Sequence, residues 1–156
     1  MHKNLYLSQK FTKFINNENF EFDRSKILKI LNSDLLEDAY KTISKWQKYQ
    51  PTPLESLNKL SKELELKNIF YKDESKRFGL KSFKALGGAY AVEKITKGRK
   101  DITVSTATAG NHGKSVAWGA KNLGLNCKIF ISENVSETRA EEMRNLNAEV
   151  IRVKGN

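Results

Sequence analysis

Residues 102–131 read ITVSTATAGNHGKSVAWGAKNLGLNCKIFI. The run Ile102-Thr103-Val104-Ser105, β-branched in its first three residues, predicts a strand. A turn of small residues, Thr106 to Gly113, follows it. Val116, Ala117, Ala120 and Leu123 then recur at helical spacing, and Gly124 supplies the stop. Cys127 to Ile131 is a second run of strand length. The alternation continues downstream: Ser136 caps a helix carrying Ala140, Met143 and Leu146, and Glu149 to Val153 is a third strand. Strands alternating with helices in this way indicate parallel strands joined by right-handed crossovers. The fold class is α/β, built on a parallel sheet.

Upstream, Ser82 caps a helix running from Phe83 to about Thr96, ended by Gly98. Asp73 to Lys81 is a polar loop around Gly79, and Ile69 to Lys72 a short strand. Leu54, Leu57, Leu60 and Leu64 predict the apolar stripe of a helix. Pro51-Thr52-Pro53 is a rigid extended or turn element, because Pro51 pushes Gln50 out of the α region. An earlier helix starts at Asp34, three residues before Glu37, and carries Leu35, Leu36, Ala39, Tyr40, Ile43 and Trp46. Residues 1–32 have poor periodicity and are expected to be an N-terminal extension with a short strand near Phe20–Phe22.

The chain has 156 residues, enough for one compact domain or one domain and part of a second. Its 28 Lys+Arg against 18 Asp+Glu give a formal charge of +10. Of these cations 22 are Lys, spread without a run of five or six, which reads as a solvated surface rather than a nucleic-acid stripe. No apolar run approaches the roughly 20 residues of a membrane span. Met1 to Lys13 shows no signal-peptide pattern, and the single Cys excludes an internal disulfide, so a reducing, cytoplasmic location is expected. His2 and His112 are too few and too distant for a zinc site, and Cys127 is expected to be a small buried residue. Trp46 and Trp118 are expected in the core, and Asp73 and Glu74 in structural or solvated roles.

Two segments can carry chemistry. In Ser82-Phe83-Lys84-Ala85-Leu86-Gly87-Gly88 a lysine sits in the first turn of a helix, at most one turn from Lys81. A neighbouring cation and a helix N-terminus both favour the neutral amine, the form that acts as nucleophile or base. Lys84 is otherwise one surface lysine among 22. Gly87-Gly88 inside a helix points to close backbone packing or a ligand. In Thr106-Ala107-Thr108-Ala109-Gly110-Asn111-His112-Gly113 a strand leads through small residues into a helix start, which suits a carboxylate or phosphate. The alternative is a tight strand–helix connection with no ligand. The turn is not GxGxxG, so the dinucleotide fingerprint is absent.

These segments occur in a recognisable order: Pro51-Thr52-Pro53-Leu54, Tyr71-Lys72-Asp73-Glu74-Ser75, Arg77-Phe78-Gly79-Leu80, Ser82 to Gly88, then Gly110-Asn111-His112-Gly113 with Val116-Ala117-Trp118. The series resembles the fold-type-II, tryptophan-synthase-β-like pyridoxal-phosphate enzymes over residues 46–156. Within that group the stretches 72–80 and 110–118 are most similar to the diaminopropionate ammonia-lyase subfamily. The resemblance implies a three-layer fold with a parallel sheet, an N-terminal extension and first helix at 1–45, large-domain elements at 46–80 and a small α/β domain at 81–156. It implies that Lys84 binds pyridoxal 5'-phosphate covalently and serves as base at Cα, and that Asn111 contacts the cofactor's 3-hydroxyl oxygen. Thr108, Ala109, Gly110 and His112 would hold the substrate carboxylate. The implied activity is elimination of 2,3-diaminopropionate to pyruvate and ammonia, with a serine or threonine dehydratase as the alternative. A non-catalytic truncated fragment is a further alternative.

The resemblance also implies a homodimer for the full-length form, a small amino-acid substrate, and neither nucleic acid nor membrane as partner. Ala109 stands where the subfamily carries an Asp that serves one substrate enantiomer as base, and a methyl group takes no proton. The family's glycine-rich phosphate loop lies further downstream than Gly155, so this chain is expected to be an N-terminal fragment, inactive alone.

Overall fold

The computed structural model describes residues 23–155, so His2 and the strand expected near Phe20–Phe22 lie outside the described residues. The described chain divides between Leu36 and Glu37 into two units. In the first, α1 (Arg24–Ile30) starts at Asp23, whose carboxylate accepts the N–H groups of Ser25 at 2.9 Å and Lys26 at 3.2 Å. This helix replaces part of the irregular extension that poor periodicity suggested. Its signal was the cap followed by Ile27, Leu28, Ile30 and Leu31. The next helix, α2 (Ser33–Ser44), is capped by Asn32, whose Oδ1 accepts the Leu35 N–H at 2.9 Å. The Asp34–Glu37 spacing therefore lies one step inside the helix rather than at its start.

In the second unit β1 (Leu54–Ser56) pairs antiparallel with β2 (Phe70–Lys72), and Leu54 lies opposite Lys72. This corrects the leucine stripe: Leu54 is in a strand, and the helix, α3, runs only Asn58–Glu63. The physical reason is the Pro-Thr-Pro run before it, which keeps the backbone extended into Leu54. The Asp73 N–H bonds Pro53 O at 3.0 Å and the Leu57 N–H bonds Ile69 O at 2.9 Å, so the ladder brackets the strand at both ends.

Beyond β2 the chain makes a 3₁₀ turn at Arg77–Gly79. Phe78 and Gly79 both have positive φ, 49° and 74°, a conformation that costs a phenylalanine of order 1 kcal/mol. The turn is held by Arg77, 6% exposed, which donates from Nε and Nη2 to the two oxygens of Glu74 at 2.8 and 2.9 Å. It also donates to Gln50 O at 2.7 Å and Thr52 Oγ1 at 2.9 Å. The Arg77 hydrogen bonds hold the Glu74 carboxyl down at about 2 against partial burial, with Thr52 adding to them.

The last half is the α/β core. α4 (Lys84–Thr96) packs on α5 (Asn111–Asn122). The strands β3 (Thr103–Ala107), β4 (Asn126–Ser132) and β5 (Ala148–Val153) form a parallel sheet in the order β3-β4-β5. Register runs from Thr103 opposite Asn126 and from Cys127 opposite Ala148. α6 (Glu137–Arg144) packs on β5. Cys127, Ile129 and Ile131 alternate inward along β4 and meet Val116, Ala117 and Ala120 of α5 and Ala140 and Met143 of α6 in one cluster. The opposite register positions Lys128 and Glu149 form an exposed ion pair at 3.1 Å. β3 runs two residues further than the expected Ser105, because Thr106 and Ala107 still pair with Ile129 and Phe130. Among the described residues no helix is long and apolar enough to cross a membrane.

Candidate functional site

Lys84 is the first residue of α4, one later than expected, and is exposed. Ser82 acts as foreseen on the helix start: its buried Oγ accepts the Lys84 N–H at 3.2 Å. Phe83 occupies the N-cap position without a side-chain bond. Lys81 lies outside the helix in a left-handed conformation (φ 56°) and is also exposed.

The second segment shortens to a three-residue bridge, Thr108 to Gly110, between β3 and α5. The Thr108 N–H still bonds Phe130 O at 3.0 Å, so the chain leaves the sheet just after it. Thr108 and Ala109 are half-buried, Ala109 against the core cluster, while Gly110, Asn111 and His112 are exposed. Gly110 is the N-cap and makes no side-chain cap bond, so no protein side chain covers the first amides of α5 from that position. Gly113 is required by packing: a Cβ there would come within 3.0 Å of both Thr108 O and Met143 Sδ. Helix α5 thereby presses down on the bridge and fixes Asn111 at the carboxyl end of β3. That end of a parallel sheet is where α/β folds place ligands.

The two segments meet through α4 and α5. Ser115, fully buried, donates from Oγ to Lys84 O at 2.6 Å. A Cβ on Gly88 would lie 2.2 Å from Ser115 Oγ, and one on Gly119 would lie 2.8 Å from Ala89 Cα. Contacts therefore advance along both helices together, and both helix starts lie at one end of the pair. Lys84 and Asn111, 27 positions apart in the chain, begin adjacent helices. Gly87 has open space around it, so of the Gly87-Gly88 pair Gly88 is the one that close packing demands.

Other expected residues fall elsewhere. Asp73 accepts the Ser75 N–H at 2.9 Å in a turn, and Glu74 belongs to the Arg77 knot. Cys127 is buried, and burial pushes its thiol up. Trp46 and Trp118 are half-buried rather than core. They stand edge to face at 5.6 Å, Phe78 stacks on Trp118 at 4.6 Å, and Trp46 Nε1 donates to Glu93 Oε2 at 2.7 Å. Their amphipathic rings suit that position better than a dry core. With Ala89, Glu93 and Gly119 they line a concavity of about 470 Å³, which includes neither Lys84 nor Asn111. Sequence reasoning missed Ser115 and Arg77 as structural keys. A polar residue on the apolar face of α5, four after Asn111, was the available signal for Ser115. Arg77 carried none, because an arginine in a polar loop ordinarily faces solvent. Among the described residues no group of three His, Cys, Asp or Glu could hold a metal ion.

A diaminopropionate ammonia-lyase of Escherichia coli is 41% identical over 121 residues, covering 66% of this chain and 30% of that protein. The Salmonella typhimurium protein of the same name is 38% identical over 144 residues, covering 78% and 36%. A biosynthetic L-threonine dehydratase of Haemophilus influenzae is 38% identical over 103 residues, covering 65% and 20%. The crystal structure of the apo E. coli diaminopropionate ammonia-lyase superposes with a TM-score of 0.75 at 35% identity, over 80% of this chain and 39% of that one. The same enzyme in complex with an aminoacrylate-PLP azomethine intermediate gives 0.73 at 38% identity, over 80% and 35%. The chain thus spans about a third of the length of these ammonia-lyases. The family model for pyridoxal-phosphate-dependent enzymes matches residues 45–156, and with a parallel α/β sheet of the fold-type-II kind the chain belongs to that family.

Proposed function

We propose that this chain supplies the lysine-bearing part of a pyridoxal-phosphate ammonia-lyase acting on 2,3-diaminopropionate, with large-domain elements at 46–80 and a small domain at 81–156. The observation that carries the reading is the keyed pair of helix starts, with the exposed amine of Lys84 on one and the exposed amide of Asn111 on the other. The donor set fits an aldehyde-bearing aromatic cofactor: a primary amine, an amide that can donate to a phenolic oxygen, and a helix start free of a side-chain cap. Lys84 and Asn111 would hold it, and Thr108, Ala109, Gly110 and His112 would surround the substrate carboxylate near the α5 amides. When bound, the cofactor supplies an electron sink for negative charge at the substrate Cα.

Lys84 Nζ would take the Cα proton, and backbone amides of α5 would orient the carboxylate. The overall change consumes one water, releases both amino groups as ammonia and leaves pyruvate. Ala109 offers no proton acceptor, which favours the L-enantiomer, served from Lys84. The dehydratase likeness keeps threonine as the competing substrate.

Titrating the chain with pyridoxal phosphate should raise a visible absorption band that Lys84→Ala abolishes; a band unchanged in that variant refutes the Lys84 assignment. Pyruvate release from diaminopropionate should outpace ketobutyrate release from threonine. Faster threonine turnover would assign the chain to the dehydratases.

A further inference from the structure

We propose that Ser115 is a positioning residue that sets Lys84 against Asn111; the proposal rests on the assignment of Lys84 above. Among the described residues, Lys84 is the one whose two backbone groups are each held by a serine hydroxyl. Its N–H donates to Ser82 Oγ at 3.2 Å, and its C=O accepts from Ser115 Oγ at 2.6 Å. Both serines are buried. Ser115 lies one turn beyond Asn111 on α5, so the turn that presents the amide also grips the backbone that presents the amine. The bond is possible because residue 88 is glycine: a Cβ there would sit 2.2 Å from Ser115 Oγ and 2.8 Å from its Cβ. Gly88 is thus the socket and Ser115 the key. The pair fixes rise and rotation of α4 on α5 at the turn where Lys84 emerges. A hydroxyl serves where alanine would not, because packing alone would leave the first turn of α4 free to shift along α5.

Two variants separate the hydrogen bond from the packing. Ser115→Ala removes the bond and keeps the Cβ. Gly88→Ala with Ser115→Gly moves the volume across the interface and also removes the bond. Both should keep the wild-type thermal midpoint within a few degrees, yet weaken pyridoxal phosphate binding, read by the visible band, at least tenfold. Gly88→Ala alone should lose both fold and binding. Wild-type affinity in either bond-deleted variant overturns the proposal, since packing would then suffice. Reductive methylation with formaldehyde, mapped by peptide, reads the amine without the cofactor. The share of label at Lys84 should change at least threefold in Ser115→Ala, and an unchanged share also overturns the proposal. A changed share in a chain that gives no band would instead keep the positioning role and reject the cofactor assignment.

Discussion

The two halves of the Glu37–Asn156 unit are held by different physics. Residues 50–80 form short elements around one part-buried ion pair, with large apolar side chains still exposed: Leu54 is 63% and Phe70 61% accessible. Residues 84–153 close over an apolar core in which Ile129 and Met143 are fully buried. In the first half a directional network does what apolar burial does in the second. Rigidity sits at the junction of the two: the proposed reactive lysine begins the first helix of the well-packed half, and the Phe78 turn that leads to it is clamped by Arg77.

The largest effect should come from the core. Ile129→Ala deletes buried volume beneath α5 and should cost about 4 kcal/mol, raising amide exchange throughout 84–153. A loss below about 1 kcal/mol would mean that the sheet does not carry this unit. Arg77→Met should cost about 3 kcal/mol, because it leaves the Glu74 carboxylate partly buried without its partner. Its exchange increase should stay within 50–80; spread into β4 would erase the contrast between the halves.

The same pair sets an acid limb. Glu74 is lowered from 4.5 to about 2, so its contribution is full above about 4.5 and is lost as pH falls through about 2. Urea midpoints should therefore fall steeply over that window, and Glu74→Gln should flatten the limb. An equally steep limb in the variant would place the titration elsewhere. The smallest effect is expected from Trp46→Phe, which removes the bond to Glu93 but keeps an aromatic ring, at about 1 kcal/mol by thermal unfolding. A loss above about 3 kcal/mol would make that bond a principal tie between Trp46 and α4.

The well-packed half was legible in the sequence for the same reason that it is stable. Val116, Ala117, Ala120, Cys127, Ile129 and Met143 are inward because they are apolar, and apolar spacing is what periodicity reads. The other half misled where local backbone constraint outweighed spacing. Leu54 matched a helical stripe, but Pro53 and the pairing with Lys72 made it a strand. Asn32 took over the cap that Asp34 suggested, since Asx side chains compete at neighbouring positions. Of the candidate site, the residue types at the two helix starts could be read directly. Their adjacency could not, because it rests on a serine hydroxyl entering the space of a missing Cβ, a contact between residues 27 positions apart.

Lys84, of the 22 lysines in the chain, is the proposed attachment point of the cofactor. Borohydride reduction of the chain with one equivalent of pyridoxal phosphate, followed by peptide mapping, tests it most directly. Most of the reduced adduct should lie on Lys84, and Lys84→Arg should not pass the label to a single other lysine. An adduct spread over surface lysines in the wild-type chain, or concentrated on another residue, would contradict it.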